Sequence, residues 1–199
     1  MIHIAIFASG SGSNAENIAD YFRESDDIKV SLIISNKRDA YVHVRAEKLS
    51  IPSYTFSKAE FEKGTPLLKV LREYNIGFIV LAGFLLKVSQ PLLNVYAGRI
   101  INIHPALLPK YGGKGMYGDT VHRAVVDAGE TESGITIHYV NEHYDEGSII
   151  FQATCEVQAV DTPGDVARKV HALEYAHFPR VIASLVKKIA EGNQRFENK

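Results

Sequence analysis

Ile2-His3-Ile4-Ala5-Ile6-Phe7-Ala8-Ser9-Gly10-Ser11-Gly12-Ser13-Asn14-Ala15-Glu16 opens the chain, and its reading decides the fold. The run from Ile2 to Ala8 is almost uninterrupted by polar residues, as expected of a strand buried on both faces in a parallel sheet covered by helices. Two glycines follow, and from Ala15 to Arg23 the apolar positions take helical spacing. Ser13 and Glu16 are spaced as a capping box. A glycine-rich turn between a buried strand and a helix lets backbone approach a ligand closely, and free N–H groups at a helix start attract an anion. A phosphate group is the physical expectation for the Ser9 to Asn14 loop.

Working outward, apolar runs of strand length recur at Val30 to Ile34, Phe78 to Ala82 and Arg99 to Ile103. Helical spacing lies between them at Tyr41 to Leu49 and Pro66 to Tyr74. Strands alternating with helices build βαβ units, so the expected class is α/β: an open, mostly parallel twisted sheet flanked by helices, Rossmann-like. Beyond about residue 130 the period changes to two. Ile135, Ile137 and Tyr139, then Ile149, Phe151, Ala153, Cys155 and Val157, alternate with more polar neighbours around a turn holding Gly147. This pattern predicts an antiparallel strand pair in the C-terminal part. A last helix opens at Thr162 with Pro163 in its first turn and carries Val166, Val170, Leu173, Val181, Ile182, Leu185 and Ile189 as a stripe. Pro179 is expected to kink or interrupt it, and the polar tail 191–199 is expected to fray. No linker or repeat divides the chain. One domain over 1–199 is expected, with a phosphate-binding half over 1–100 and a catalytic half over 101–190.

Composition sets limits on function. The 199 residues carry 22 Lys plus Arg against 23 Asp plus Glu, a net charge of -1, which supplies no field to draw nucleic acid or an anionic membrane. A hydrophobic fraction of 46% with 23% charged residues fits a packed globular core and excludes disordered or collagen-like chains. Cys155 is the one cysteine, so neither a disulfide framework nor a thiolate zinc cluster can be built, and a cytoplasmic setting is expected. The opening apolar run is too short for a membrane anchor and lacks the basic region of a signal peptide. His171, Glu174 and His177 step three residues at a time, drifting about 60° per step around a helix, and do not share a tight face. No metal is expected.

Two further segments carry chemistry. In Arg99-Ile100-Ile101-Asn102-Ile103-His104-Pro105, residues 102 and 104 point to one face of a strand, and Pro105 turns the chain out just after the histidine. At the carboxyl end of a parallel sheet that face opens into the ligand crevice. An amide beside an imidazole is equipment for stabilising a carbonyl oxygen as it becomes an oxyanion. No serine or cysteine nucleophile is tied to them, which favours direct transfer between two bound substrates. Asp145 stands in the turn His143-Tyr144-Asp145-Glu146-Gly147, where Asp-x-Gly alone is ordinary turn chemistry. Gly10, Gly12 and Ala15 also satisfy the G-x-G-x-x-A dinucleotide fingerprint. The acid that would hold a ribose diol is missing at Ile34-Ser35-Asn36-Lys37-Arg38, although Lys37 or Arg38 leaves an NADP-dependent reductase as an alternative.

Gly10-Ser11-Gly12-Ser13-Asn14, Leu81-Ala82-Gly83-Phe84, Asn102 to Tyr111, Ser133-Gly134-Ile135-Thr136-Ile137-His138 and Asp145-Glu146-Gly147, in this order and spacing, resemble the phosphoribosylglycinamide formyltransferases of the formyltransferase fold. The likeness spans about residues 1 to 190. It implies formyl transfer from 10-formyltetrahydrofolate, a cosubstrate, to the glycinamide amine of 5'-phosphoribosylglycinamide in purine biosynthesis. By resemblance the catalytic set falls on Asn102, His104 and Asp145, the substrate phosphate loop on Gly12, Ser13 and Asn14, and the glutamate at the glycinamide end on Glu174. The folate pterin is expected against Leu85, Leu86, Lys87 and Val88, with Asn102, Asn141 and Tyr144, its ring edges read by backbone groups. Asp145 is expected to raise the His104 pKa, so that protonated His104 and Asn102 hold the oxyanion.

Where such enzymes often carry methionine and arginine after Phe84, this chain has Leu85-Leu86-Lys87. The glycine-rich loop from Gly112 to His122 reads either as a mobile lid or as plain surface loop. Within the same fold a sugar-amine N-formyltransferase is the nearest alternative. The partners are small molecules, with nucleic acid and membrane excluded; monomer and homodimer are both compatible with the sequence.

Overall fold

The structure is a computed structural model describing residues 1–197. Its strands are β1 (Ile2–Phe7), β2 (Ile28–Ser35), β3 (Ser53–Thr55), β4 (Ile76–Leu81), β5 (Ile100–His104), β6 (Glu132–Tyr139) and β7 (Ile149–Glu156). Its helices are α1 (Ser13–Tyr21), α2 (Val42–Lys48), α3 (Lys58–Lys63), α4 (Thr65–Glu73), α5 (Gln90–Val95), α6 (Asp119–Asp127) and α7 (Pro163–Glu197). The strands form one sheet in the order β3-β2-β1-β4-β5-β6-β7. The pairs among β1 to β5 are parallel, and β6 and β7 close the sheet antiparallel, as the change from unbroken to alternating apolar runs predicts.

The apolar strands are covered on both sides. Ile4, Ile6, Phe78, Val80, Ile101 and Ile103 pack with Ala15, Ile18, Val42, Val166, Val170 and Phe178 of α1, α2 and α7. Ala5, Phe7, Leu32, Ile79 and Leu81 face Phe61, Leu67, Leu71 and Leu92 of α3, α4 and α5, and Tyr96 just after α5, on the opposite side. The strand order reverses beside β1: β2 lies on one side of it and β4 on the other. Chains leaving β1 and β4 therefore diverge, which opens a crevice at the carboxyl ends of the strands.

Four expectations change. Ser13 does not cap α1; the N-cap is Gly12 in a left-handed conformation, and no side chain accepts there. Glu16 pairs instead with Arg45 of α2, so an ion pair between helices replaces the intrahelical box. A reciprocal capping box does occur on α3, where Ser57 and Glu60 satisfy each other's backbone N–H groups. Pro179 lies inside α7 without interrupting it, and the helix continues past Gly192 to Glu197; the remainder of the predicted frayed tail lies outside the described residues. The short elements β3, α3, α5 and α6 have no counterpart in the sequence reading, because runs of three to nine residues hold too few turns or alternations to show a period.

At the β6–β7 turn the missing side chain of Gly147 is a steric requirement, since a Cβ there would lie 1.6 Å from the Tyr139 carbonyl oxygen. The strand pair can close, with Asp145 carried over the crevice, only if residue 147 is glycine. Gly147→Ala is expected to lower the free energy of urea-induced unfolding by about 3 kcal/mol, the upper range of overpacking, whereas Gly98→Ala, with open space around it, tests only the strain of positive φ and should cost less.

Candidate active site

The crevice is a cavity of about 660 Å³ lined by the β1–α1 loop, the turn after β4, the end of β5, the loop 113–119 and the inner faces of α6 and α7. At one end the glycine-rich β1–α1 loop leads into the start of α1, where a helix presents free backbone N–H groups. Gly10 has open space where a side chain would be, whereas a Cβ on Gly12 would meet Val42 Cγ2 at 2.3 Å. Gly12 at φ +74° lets the loop turn into α1 against the start of α2. Lys37 lines the same end. Ser9, 3% exposed, ties the floor together: its backbone N–H donates to Gly83 O, its hydroxyl donates to Asn36 Oδ1 at 2.5 Å, and it accepts the Leu85 N–H at 2.9 Å.

Asn102, His104 and Asp145 converge at the centre. Strand β5 pairs with β6 so that Asn102 lies opposite His138 and His104 opposite Thr136, which puts four polar side chains on one face at the sheet's end. His138 Nδ1–H donates to Tyr139 O at 2.8 Å, leaving Nε2 to accept an Asn102 amide hydrogen at 3.1 Å. The other Asn102 hydrogen reaches Asp145 Oδ1 at 3.4 Å, a long contact. His104 donates Nε2–H to the Tyr111 carbonyl at 2.7 Å, so its Nδ1 faces Asp145 Oδ2 at 3.5 Å. Asp145, in the left-handed region at φ 58°, also accepts the Gly113 N–H at 2.9 Å. Behind them Thr136 Oγ1 donates to Ala106 O at 2.7 Å and accepts Leu108 N–H at 3.0 Å. The chain leaving Pro105 is thereby clamped to β6 and returns Tyr111 to His104.

Electrostatics corrects one expectation. Burial pushes the His104 pKa down and outweighs Asp145, which pulls it up; the net shift is downward. The resting imidazole is therefore more neutral near pH 7 than the sequence reading expects. For Asp145 burial opposes ionisation, but His138, His104 and the Gly113 N–H together overcome it and hold the carboxyl below its ordinary range.

Beside the β1–α1 loop, Asn14, His122, His171 and Glu174 also line the cavity. Glu174, 5% exposed, accepts from Asn14 Nδ2 at 2.9 Å and His171 Nδ1 at 2.8 Å. Gly12, Ser13, Asn14 and Glu174 are thus brought to one cavity with Asn102, His104 and Asp145. The expected folate residues divide. Leu85 and Tyr144 line the cavity, but Leu85 N–H is already given to Ser9. Val88 is buried in the core beneath α5 with Leu86 packed beside it, Lys87 is exposed, and Asn141 Oδ1 caps its own turn by accepting the His143 N–H. His138, Thr136 and His122 have no role in the sequence reading, Ser9 enters it only as part of the loop, and His171 only as a rejected metal ligand. The cross-strand register that places His138 beside Asn102 has no local signal, whereas His171 could have been found from its three-residue spacing to Glu174. His177 leaves that pair and packs on Phe151, ring centroids 4.9 Å apart.

A phosphate-type loop at a sheet reversal, facing an amide, an imidazole and a carboxylate with no attached nucleophile, defines a group-transfer enzyme of the α/β class. Residues 2–182 match the family model described as formyl transferase, and the chain belongs to that family. It is 40% identical over 188 residues to the chloroplastic phosphoribosylglycinamide formyltransferase of Arabidopsis thaliana, covering 92% of this chain and 64% of the relative, so it spans under two thirds of that protein. It is 38% identical over 193 residues to phosphoribosylglycinamide formyltransferase of Bacillus subtilis (strain 168), covering 94% of this chain and 95% of that one. The crystal structure of phosphoribosylglycinamide formyltransferase from Anaplasma phagocytophilum superposes with a TM-score of 0.85 at 29% identity, over 94% of this chain and 87% of that chain.

His122 and His171 make opposite demands on pH. His122 is buried with Nδ1 unpartnered, and burial followed by the neighbouring His171 lowers its pKa from 6.5. The unfolded chain binds that proton more readily, so stability is lost as pH falls through 6.5. His171 is raised by its bond to Glu174, so its contribution is full below 6.5 and lost as pH rises through the raised value. Between pH 7 and 5 His104 and His122 act together, and the urea midpoint is expected to fall; in His122→Asn the fall should be smaller, and an unchanged slope would contradict the assignment.

Proposed function

We propose that this protein transfers the formyl group of 10-formyltetrahydrofolate to the glycinamide amine of 5'-phosphoribosylglycinamide, within purine biosynthesis and in the cytoplasm. The observation that carries the reading is the convergence of Asn102, His104 and Asp145 in one cavity with the Gly12-Ser13-Asn14 loop. The loop takes the phosphate, and Glu174 meets the far end of the same substrate. Folate enters beside Leu85 and Tyr144, with the backbone of 85–88 and 141–144 along its pterin. We read the chain as one domain, 1–100 supplying the phosphate half and 101–190 the catalytic half.

The amine attacks the formyl carbon directly, forming the new C–N bond as the formyl oxygen becomes an oxyanion. Neutral His104, its Nε2–H fixed on Tyr111 O, takes the proton of the attacking nitrogen at Nδ1. The resulting imidazolium lies 3.5 Å from Asp145, which is ionised and stabilises it. The imidazolium and the Asn102 amide hydrogen held only by the long Asp145 contact then face the oxyanion. Collapse breaks the bond to folate N10, and the proton passes to that nitrogen. Holding both substrates in one crevice supplies much of the rate through effective molarity.

Formyl transfer followed by the absorbance change of folate, without added metal, tests the reading. Asn102→Ala and His104→Ala are each expected to lower turnover about a hundred- to a thousandfold while leaving the fold intact, and Asp145→Asn to abolish the stabilised imidazolium with a comparable loss. Near-normal turnover in either alanine variant overturns the role given to that residue. A folded wild type that ignores the glycinamide ribonucleotide but formylates a nucleotide-linked amino sugar overturns the acceptor.

A further inference from the structure

We infer that Arg45, which stands on α2 behind the cavity rather than in its lining, is a positioning residue for the ribonucleotide phosphate. The inference rests on the proposed phosphate site in the β1–α1 loop. Arg45 Nε–H donates to the Ser11 carbonyl at 3.0 Å. One turn earlier the Val42 N–H donates to the Gly10 carbonyl at 3.1 Å. Two successive loop carbonyls are therefore held toward α2, on the outer side of the loop. In a planar trans peptide the C=O of one residue and the N–H of the next point in opposite directions. Pinning the Gly10 and Ser11 carbonyls outward turns the Ser11 and Gly12 N–H groups the other way, toward the cavity that both residues line. The left-handed Gly12, tight against Val42, permits this approach of α2.

Arg45 is itself held. Its Nη1 pairs with Glu16 of α1, and its guanidinium sits over the Tyr41 ring, 5.2 Å from the centroid. The two roles use different atoms: Nη1 joins α2 to α1, and Nε sets the loop. The side chain is 23% exposed and its Glu16 partner 36%, so solvent screens the ion pair and its loss costs little stability. An anion bound by backbone N–H groups depends on their direction, so removing the Nε contact should appear in the binding of the phosphate-bearing substrate alone.

Arg45→Met keeps the length of the stem and removes both donors. Its dissociation constant for ribose 5-phosphate by calorimetry, and its KM for the ribonucleotide, are expected to rise about tenfold, the low end for a hydrogen bond to a charged group. Its KM for the folate and its kcat at saturation should stay within about twofold, a split that a general loosening would not produce. Glu16→Gln, which keeps an acceptor for Nη1 and leaves Nε on Ser11, should bind ribose 5-phosphate within about twofold of the wild type. If Arg45→Met does not fold, Arg45→Lys carries the same test, because one ammonium on Glu16 does not also reach Ser11. Unchanged ribose 5-phosphate affinity in a folded Arg45 variant overturns the inference, as does an equal rise in KM for both substrates. Wild type that binds ribose 5-phosphate but transfers no formyl group overturns the proposed reaction and leaves Arg45 its role; wild type that binds no ribose 5-phosphate overturns both.

Discussion

A carboxylate taken out of water has to be compensated or it does not stay ionised, and the end of β5, the β6–β7 turn and the loop 113–119 are arranged around meeting that demand for Asp145. The groups that face it come from three separate parts of the chain: the Gly113 N–H of the glycine-rich loop, the Asn102 amide and His104 on β5, and His138 on β6. None of these is local to the β6–β7 turn. The turn reaches them because Gly147 lets the backbone close against Tyr139 and because Asp145 itself adopts a positive φ. The strain of that conformation is tolerable where the surrounding contacts over-determine it. A substitution that moves β6, the turn or the loop 113–119 therefore reaches the chemistry through one carboxylate.

The other organising constraint is topological. Reversal of strand order beside β1 separates the chains leaving β1 and β4, and the cavity fills the gap. At one end the helix start presents partial positive charge; at the centre stands the Asp145 carboxylate. In the proposed reaction that polarity orients a substrate with an anionic phosphate and a nucleophilic amine before Asn102 or His104 touches it. Ser9 couples the two sides of the gap, since one buried hydroxyl satisfies Leu85 beyond β4 and Asn36 beyond β2.

Much of this is legible in the sequence because it is carried by period and spacing. The buried parallel strands announce themselves as unbroken apolar runs, β6 and β7 by their alternation, and the anion loop by two glycines between strand and helix. Asn102 and His104 share a face by simple parity. What is hidden depends on pairing. His138 becomes the partner of Asn102 through a register fixed only when β5 and β6 meet. Thr136, which reads as a polar alternation facing water, is fully buried because the segment 105–111 folds over it. Glu16 looks like half of a capping box because sequence does not reveal that Arg45 of another helix competes for it. The His104 shift escapes for the same reason: proximity of Asp145 can be guessed from a motif, but the larger opposing effect of burial comes from the whole cavity wall.

That balance at His104 bears on how the site works. An imidazole kept protonated by Asp145 in the resting state would be a poor acceptor for the proton that the attacking amine must lose. Burial lowers its pKa, and the Tyr111 carbonyl fixes the remaining proton on Nε2, so the basic nitrogen is the one that faces Asp145. Once Nδ1 takes a proton, the charge it acquires lies beside a carboxylate already held in its ionised form. The stabilisation is thus small before proton transfer and large after it, which is the condition for lowering a barrier rather than merely binding a ground state. In the proposed reaction, the carboxylate of Asp145 is therefore the reason a neutral histidine can serve as base at the start of the step and as counter-charge to the oxyanion at its end.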